Sequence, residues 1–295
     1  GTFNFLDTDF SASAVYDRKS NTAQMSFDLQ RISFDNWRKF FAMPLPDKGN
    51  AAANFKIILP DIDWQKASAN GSWQGENIVW GQLDFDQTSG NIFIADGAIE
   101  LNDIRMQRRT GNITGRIQTT VETPYILNLD FESHDWPFEY RLLEFVTTAS
   151  TKIKINSQDN LLLDGRLSFA AEVVLNDEPA GNLQSDMSFD NNTIDIKVLS
   201  GRLLGGDFSG NGVMNIGDWY RTWLNLNWSG VRFSKLKTWW SFTQDFQGIA
   251  SGKLILKPST YKRVLEPLEL ELQMDLDDGR YRNMQIKGCS LYAAI

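Results

Sequence analysis

From Leu268 to Leu276 the chain alternates without a break. Leu268, Leu270, Leu272, Met274 and Leu276 share one parity, and Glu269, Glu271, Gln273 and Asp275 share the other. A period of two places these sets on opposite faces of a strand about 27 Å long, at roughly 3.4 Å per residue. A helix would scatter the same residues around its cylinder. The pattern recurs in Ile194-Asp195-Ile196-Lys197-Val198, in Leu224-Asn225-Leu226-Asn227-Trp228, in Lys253-Leu254-Ile255-Leu256-Lys257 and, with weaker contrast, in Ile92-Phe93-Ile94. Strands covered by helices on both sides read instead as continuous apolar runs. The chain is therefore expected to be mainly β, in antiparallel sheet with one dry or lipid-coated face and one wet face.

Turn residues separate these runs at hairpin spacing, among them Asn70-Gly71, Ser89-Gly90, Asp164-Gly165, Asn211-Gly212 and Asp278-Gly279. Asn, Asp and Gly tolerate the positive φ that tight hairpins require, so long meanders are expected. Helices should be three or four and short: Ser33 to Phe41, Pro137 to about Thr148, Lys235 to about Thr243 capped by Ser234, and Thr260 to Glu266 stopped by Pro267. Leu29, Leu129 and Leu226 each open an alternating strand that leads into one of the first three helices, and they stand 100 and 97 residues apart. That spacing suggests one continuous segment, residues 1–295, built of loose repeats near 1–125, 126–222 and 223–295.

Composition narrows the function classes. With 42% hydrophobic and 12% aromatic residues the chain can build a core, which separates it from disordered sequences. The net charge of −8, with no basic patch, argues against nucleic acid as a partner. One cysteine, Cys289, and one histidine, His134, exclude an internal disulfide and a Cys/His zinc site. No run of 18 apolar residues is present. The opening Gly1 to Asp7 has neither a basic nor an apolar leader segment, so the chain is expected to be an excised soluble piece of a larger protein.

Catalytic patterns are equally sparse. His134 stands between Ser133 and Asp135, but sequence neighbours on a strand or turn point apart and make no triad, and a loop or cap role is expected for it. Cys289 reads as a small strand residue. The glycines from Gly205 to Gly212 lack the Gly-Lys-Ser/Thr ending of a phosphate loop. Asp275 to Gly279 lacks the length and terminal glutamate of a calcium loop. Asp61 and Asp63 beside Trp64, and Glu76 near Trp73 and Trp80, have the carboxylate-plus-aromatic character of glycan sites, for which wet strand faces are an adequate alternative. The expectation is a non-enzyme with no cofactor and no metal.

The stretch from Gly181 through Leu183–Phe189, Thr193–Leu199, Arg202–Leu204, the Gly205-Gly206 turn and Phe208–Ile216 resembles the C-terminal region of AsmA-like proteins, the superfamily that includes TamB. The likeness continues through Leu224–Trp228 and Gly248–Leu256, to about Ile286. The resemblance implies an elongated, strongly curved antiparallel sheet forming a U-shaped apolar groove. It also implies a periplasmic location in the bacterial cell envelope, with the full-length parent anchored to the inner membrane, and a role in phospholipid transport or outer-membrane biogenesis.

Carried over by strand parity, the lipid-groove candidates are Ile194, Ile196, Val198, Leu224, Leu226, Trp228, Leu254 and Leu256. Leu268, Leu270, Leu272, Met274 and Leu276 extend them by parity alone. The implied partners are phospholipid or another acyl lipid and envelope proteins. The same parity also describes the inner face of a sheet sandwich. Two other functions remain open, an assembly scaffold of the envelope without lipid conduction and a glycan-binding β-domain.

Overall fold

The computed structural model describes residues 2–5, 8–38, 46–63, 66–81, 83–95, 97–120, 126–140, 143–156, 162–175, 178–215, 221–236, 246–258 and 268–294. The chain divides into two compact units, residues 1–136 with 154–161 and residues 137–153 with 162–295. Each ladder described below is antiparallel, and all but the pairing of Leu268–Tyr281 with Gly288–Ala294 join strands that follow one another in the chain.

The first unit opens with the short strand β1 (Thr2–Phe5) beside β2 (Thr8–Asp17), followed by β3 (Thr22–Ser33), β4 (Lys48–Pro60), β5 (Ser68–Trp80), β6 (Leu83–Ala95), β7 (Ala98–Arg108) and β8 (Gly111–Thr120). Strand β9 (Ile126–Tyr140) pairs with β8 over Leu127 to His134. One apolar row crosses six of these strands as Phe27, Phe55, Gly71, Ile92, Leu101 and Ile117. Its members are half-buried, and the gap over a glycine is filled laterally. The same device operates at Gly90, where an added Cβ would lie 2.9 Å from Nε1 of the opposite Trp73. An aromatic ring laid across a strand glycine covers exposed backbone and adds cross-strand contact.

The second unit contains β10 (Leu143–Asn156, as far as Ile153) and β11 (Leu162–Leu175), followed by the meander β12 (Glu178–Asp190), β13 (Thr193–Leu203), β14 (Gly206–Asn215), β15 (Trp223–Arg232), β16 (Phe246–Pro258) and β17 (Leu268–Tyr281). The short β18 (Met284–Gln285) and the terminal β19 (Gly288–Ala294) both pair with β17. Its buried cluster is Leu204, Val231, Ala250 and Leu276, with Phe208, Trp228 and Met274 packed against it. Val231 reaches that cluster because the ladder shifts register between Trp228 and Val231.

Three expectations need correction. The helices are α1 (Phe34–Trp37) and α2 (Phe233–Leu236), one turn each among the described residues, where three or four were expected. Pro137 to Thr148 is strand on both sides of residues 141–142, not helix. The proline at a first-turn position was a weaker signal than the β-branched run Val146-Thr147-Thr148, which suits a ladder. The expected helix at Thr260–Glu266 lies outside the described residues. The strongly curved, U-shaped apolar groove is corrected too. Each unit is an extended open meander, and the hollows described below in the first unit lie on its polar face. Alternation specifies two faces but carries no information about curl, which depends on twist and on where bulges fall.

Turns are pinned by short polar contacts. Asp47 accepts a hydrogen bond from the Gly81 amide at 2.6 Å and pairs with Arg38 at the end of α1. It thereby ties the helix to the β5–β6 turn. The Gly81 amide, with a smaller contribution from the Arg38 charge, holds the Asp47 carboxyl below the ordinary aspartate value of 3.8. A carboxyl whose folded pKa is depressed adds stability that is present above its unfolded pKa and lost as pH falls through the folded one. Wild type should therefore melt higher than Asp47→Asn at neutral pH, and the gap should close below about pH 4. Melting temperatures of the two proteins across pH 2–7 check this.

Candidate functional site

The ladder registers of the first unit collect polar side chains into rows across the sheet. Ser11 stands opposite Asp28, Asp28 opposite Asn54, Asn54 opposite Ser72 and Ser72 opposite Asn91. The Asn54 amide donates to Ser72 Oγ at 2.7 Å, and the Asn91 amide donates to Asp103 Oδ2 at 2.9 Å. Asp103 reaches this row because β7 shifts register between Leu101 and Ile104 and Asp103 takes a positive φ of 51°. A second row runs Gln74, Ser89, Arg105 and Thr114, and a third Glu76, Gln87, Gln107, Asn112 and His134.

These rows enclose three hollows on one face. The largest, about 790 Å³, lies over Asp28, Asn54, Ser72, Gln74, Asn91 and Arg105. A neighbour of about 700 Å³ shares Gln74, Ser89 and Arg105 with it. A third of about 510 Å³ shares Asp28 and Asn54, and extends to Ser13, Ser26 and Lys56. Together they form a trench crossing β2 to β8, roughly 29 Å at about 4.8 Å per strand. The volumes fall in the range of ligand clefts, and most lining residues carry amides, hydroxyls or charges, with Trp73, Phe27, Phe55, Met106 and Ile113 also contributing. Carboxylates at Asp28, Glu76 and Asp103 face cations at Lys56 and Arg105, so the trench is close to electrically balanced.

An aromatic side chain belongs to the polar face. Phe93 stands between Ile92 and Ile94, whose parity joins the apolar rows, and its register partner on β5 is Asn70. The next outer row therefore reads Ser26, Lys56, Asn70 and Phe93, and the ring is 46% exposed.

The residues considered for chemistry are dispersed. His134 is exposed on β9, at the end of the third polar row, and so is a strand residue rather than a loop or cap. Asp61 binds the Lys66 ammonium at 2.9 Å in a turn, and that hydrogen bond lowers its pKa. Glu76 lines the 700 Å³ hollow, and Trp73, laid across Gly90, lines the 790 Å³ one. Cys289 is on β19 in register with Met274. Asp275 to Gly279 lies within β17 rather than at a turn. Among the described residues no group of three metal-ligating side chains converges.

The groove candidates lie in the second unit. Leu224, Leu256 and Leu270 form one cross-strand row, and Leu226, Leu254 and Leu272 the next. Trp228 and Met274 flank Gly252 in a third. Leu276 opposes Ala250 in the buried cluster, and Leu268 opposes Pro258. Ile194 and Ile196 face Phe189 and Met187 on β12.

Val198 departs from them. The ladder slips there, Lys197 is the extra residue, and Val198 stands opposite Asp186 on the polar face, 46% exposed. Ser185, only 3% exposed, donates to the Val198 carbonyl at 2.8 Å and satisfies the bulge.

No family model, curated protein or solved structure matches the chain. No helix among the described residues is long and apolar enough to cross a membrane. The expectation of an AsmA-like or TamB-like lipid conduit is corrected together with its groove. The sheets are extended meanders, the hollows of the first unit are lined mostly by polar residues, and nothing found lends the family likeness support.

Proposed function

We propose that this chain is a non-catalytic binding module whose working surface is the polar trench of the first unit. The observation that carries the reading is the continuity of the three hollows. The 790 Å³ hollow shares lining residues with each of the other two, and the three run perpendicular to the strands, which suits an extended ligand. Side chains that both donate and accept hydrogen bonds dominate the walls. Such groups hold a ligand by many modest contacts, each worth about 1 kcal/mol net. A reaction needs a nucleophile, a base and a stabilising group brought within reach of one atom. The trench instead repeats similar groups at strand spacing.

Single cysteines at Ser72 and Ser89 test this, with the chain's one native cysteine, Cys289, as internal reference. Maleimide labelling is followed with a neutral oligosaccharide, an anionic oligosaccharide or a polar peptide present. One class is expected to slow labelling at residues 72 and 89 at least fivefold while being recovered intact. Catalytic conversion of the ligand, or no shielding by any class, would overturn the proposal.

A further inference from the structure

We infer that the ligand of this trench is a neutral, polyhydroxylated chain, an uncharged oligosaccharide, with Phe93 as a stacking platform beside the hydrogen-bonding rows. The inference rests on the trench being a binding surface and adds the chemical class of what it binds. Three observations lead to it.

Gln74, Ser72, Ser89, Asn54 and Asn91 present side chains of uncharged, dual donor–acceptor character. Their match is a ligand that donates and accepts along its whole length, as a run of hydroxyl groups does. A polyanion finds Asp28, Asp103 and Glu76 in its path, against only Lys56 and Arg105. An extended peptide's backbone would seek a sheet edge rather than a sheet face.

The exposed ring supplies what hydroxyl groups alone lack. A sugar ring has apolar C–H faces as well as hydroxyl edges, and an aromatic face carries negative charge density toward such C–H groups. Phe93 is the residue on which the alternation of β6 sets an aromatic group among Asn70, Lys56 and Ser26 instead of on the apolar face. Its ring is 46% exposed in the row next to the trench, so a ligand lying over that row can stack on it. Arg105 and Gln74 belong to both larger hollows, so they lie where a chain passing from one to the other must cross.

The experiment is calorimetric titration of the full chain with cellohexaose, xylohexaose, maltohexaose and chitohexaose. The wild type is compared with Phe93→Ala, with Gln74→Ala/Arg105→Ala and with Glu271→Ala in the second unit as a surface control. At least one hexasaccharide is expected to bind. Phe93→Ala and the double variant should each weaken it tenfold or more, with unchanged melting temperatures, and the control should bind as wild type.

Binding unaltered by both trench variants would overturn the inference, as would no binding of any hexasaccharide at 5 mM. If an anionic oligosaccharide or a peptide shields the cysteine probes while every hexasaccharide fails, the ligand class is wrong and the binding surface stands. If nothing shields them, both readings fail.

Discussion

Ile196→Asp should cost the second unit about 3–5 kcal/mol, whereas Val198→Asp, two residues along the same strand, should change stability by less than about 0.5 kcal/mol. Alternation alone assigns both residues to one face and predicts equal damage. The structure separates them: Ile196 is 7% exposed opposite Met187, and Val198 is 46% exposed opposite Asp186. A carboxylate at 196 loses the packing of a large aliphatic side chain and is poorly hydrated among its neighbours. At 198 it meets water, with a mild like-charge penalty from Asp186. Urea unfolding of the two variants and wild type decides the matter. Equal losses would place both residues on one face and remove the bulge from the account.

Gly181→Ala is expected to be damaging although it adds a single methyl group. Gly181 has φ of +142°, a backbone conformation that L side chains rarely adopt. A Cβ there would run into the carbonyl oxygen of Arg202 on the paired strand β13. Relief requires moving backbone at the very position where β12 shifts register against β11. The loss should be about 2–4 kcal/mol. Gly81→Ala is the matched control, since φ is +62° but a Cβ would have nothing within 4 Å. It should cost only the conformational penalty, about 1 kcal/mol. Chemical denaturation of both variants separates steric conflict from backbone preference, and similar losses would show that the Arg202 carbonyl yields easily.

Strand-rich architecture and antiparallel pairing were legible because alternation is a local signal with a period that only a strand shares. Leu224, Leu226, Leu254, Leu256, Leu270 and Leu272 fall into shared rows, as their parity implied. The trench was not legible. Its members are ordinary polar residues from seven strands, and they become neighbours only when every register is known. A clue existed in Phe93, the apolar residue out of step between Ile92 and Ile94, but sequence alone could not say which polar residues flank it. The same limit misplaced Val198, because a single extra residue in the ladder inverts parity beyond it.

What the sequence by itself determined is therefore the extended conformation of the clearly alternating segments and the two chemical faces they present, since both follow from side-chain chemistry within a few residues of chain. What only the tertiary structure decided is which strand residues stand side by side, where parity inverts, and which face is hollow. Those depend on register, on bulges such as those at Lys197 and Asp103, and on contacts such as Ser185 to the Val198 carbonyl, and all of them are set by partners far away along the chain.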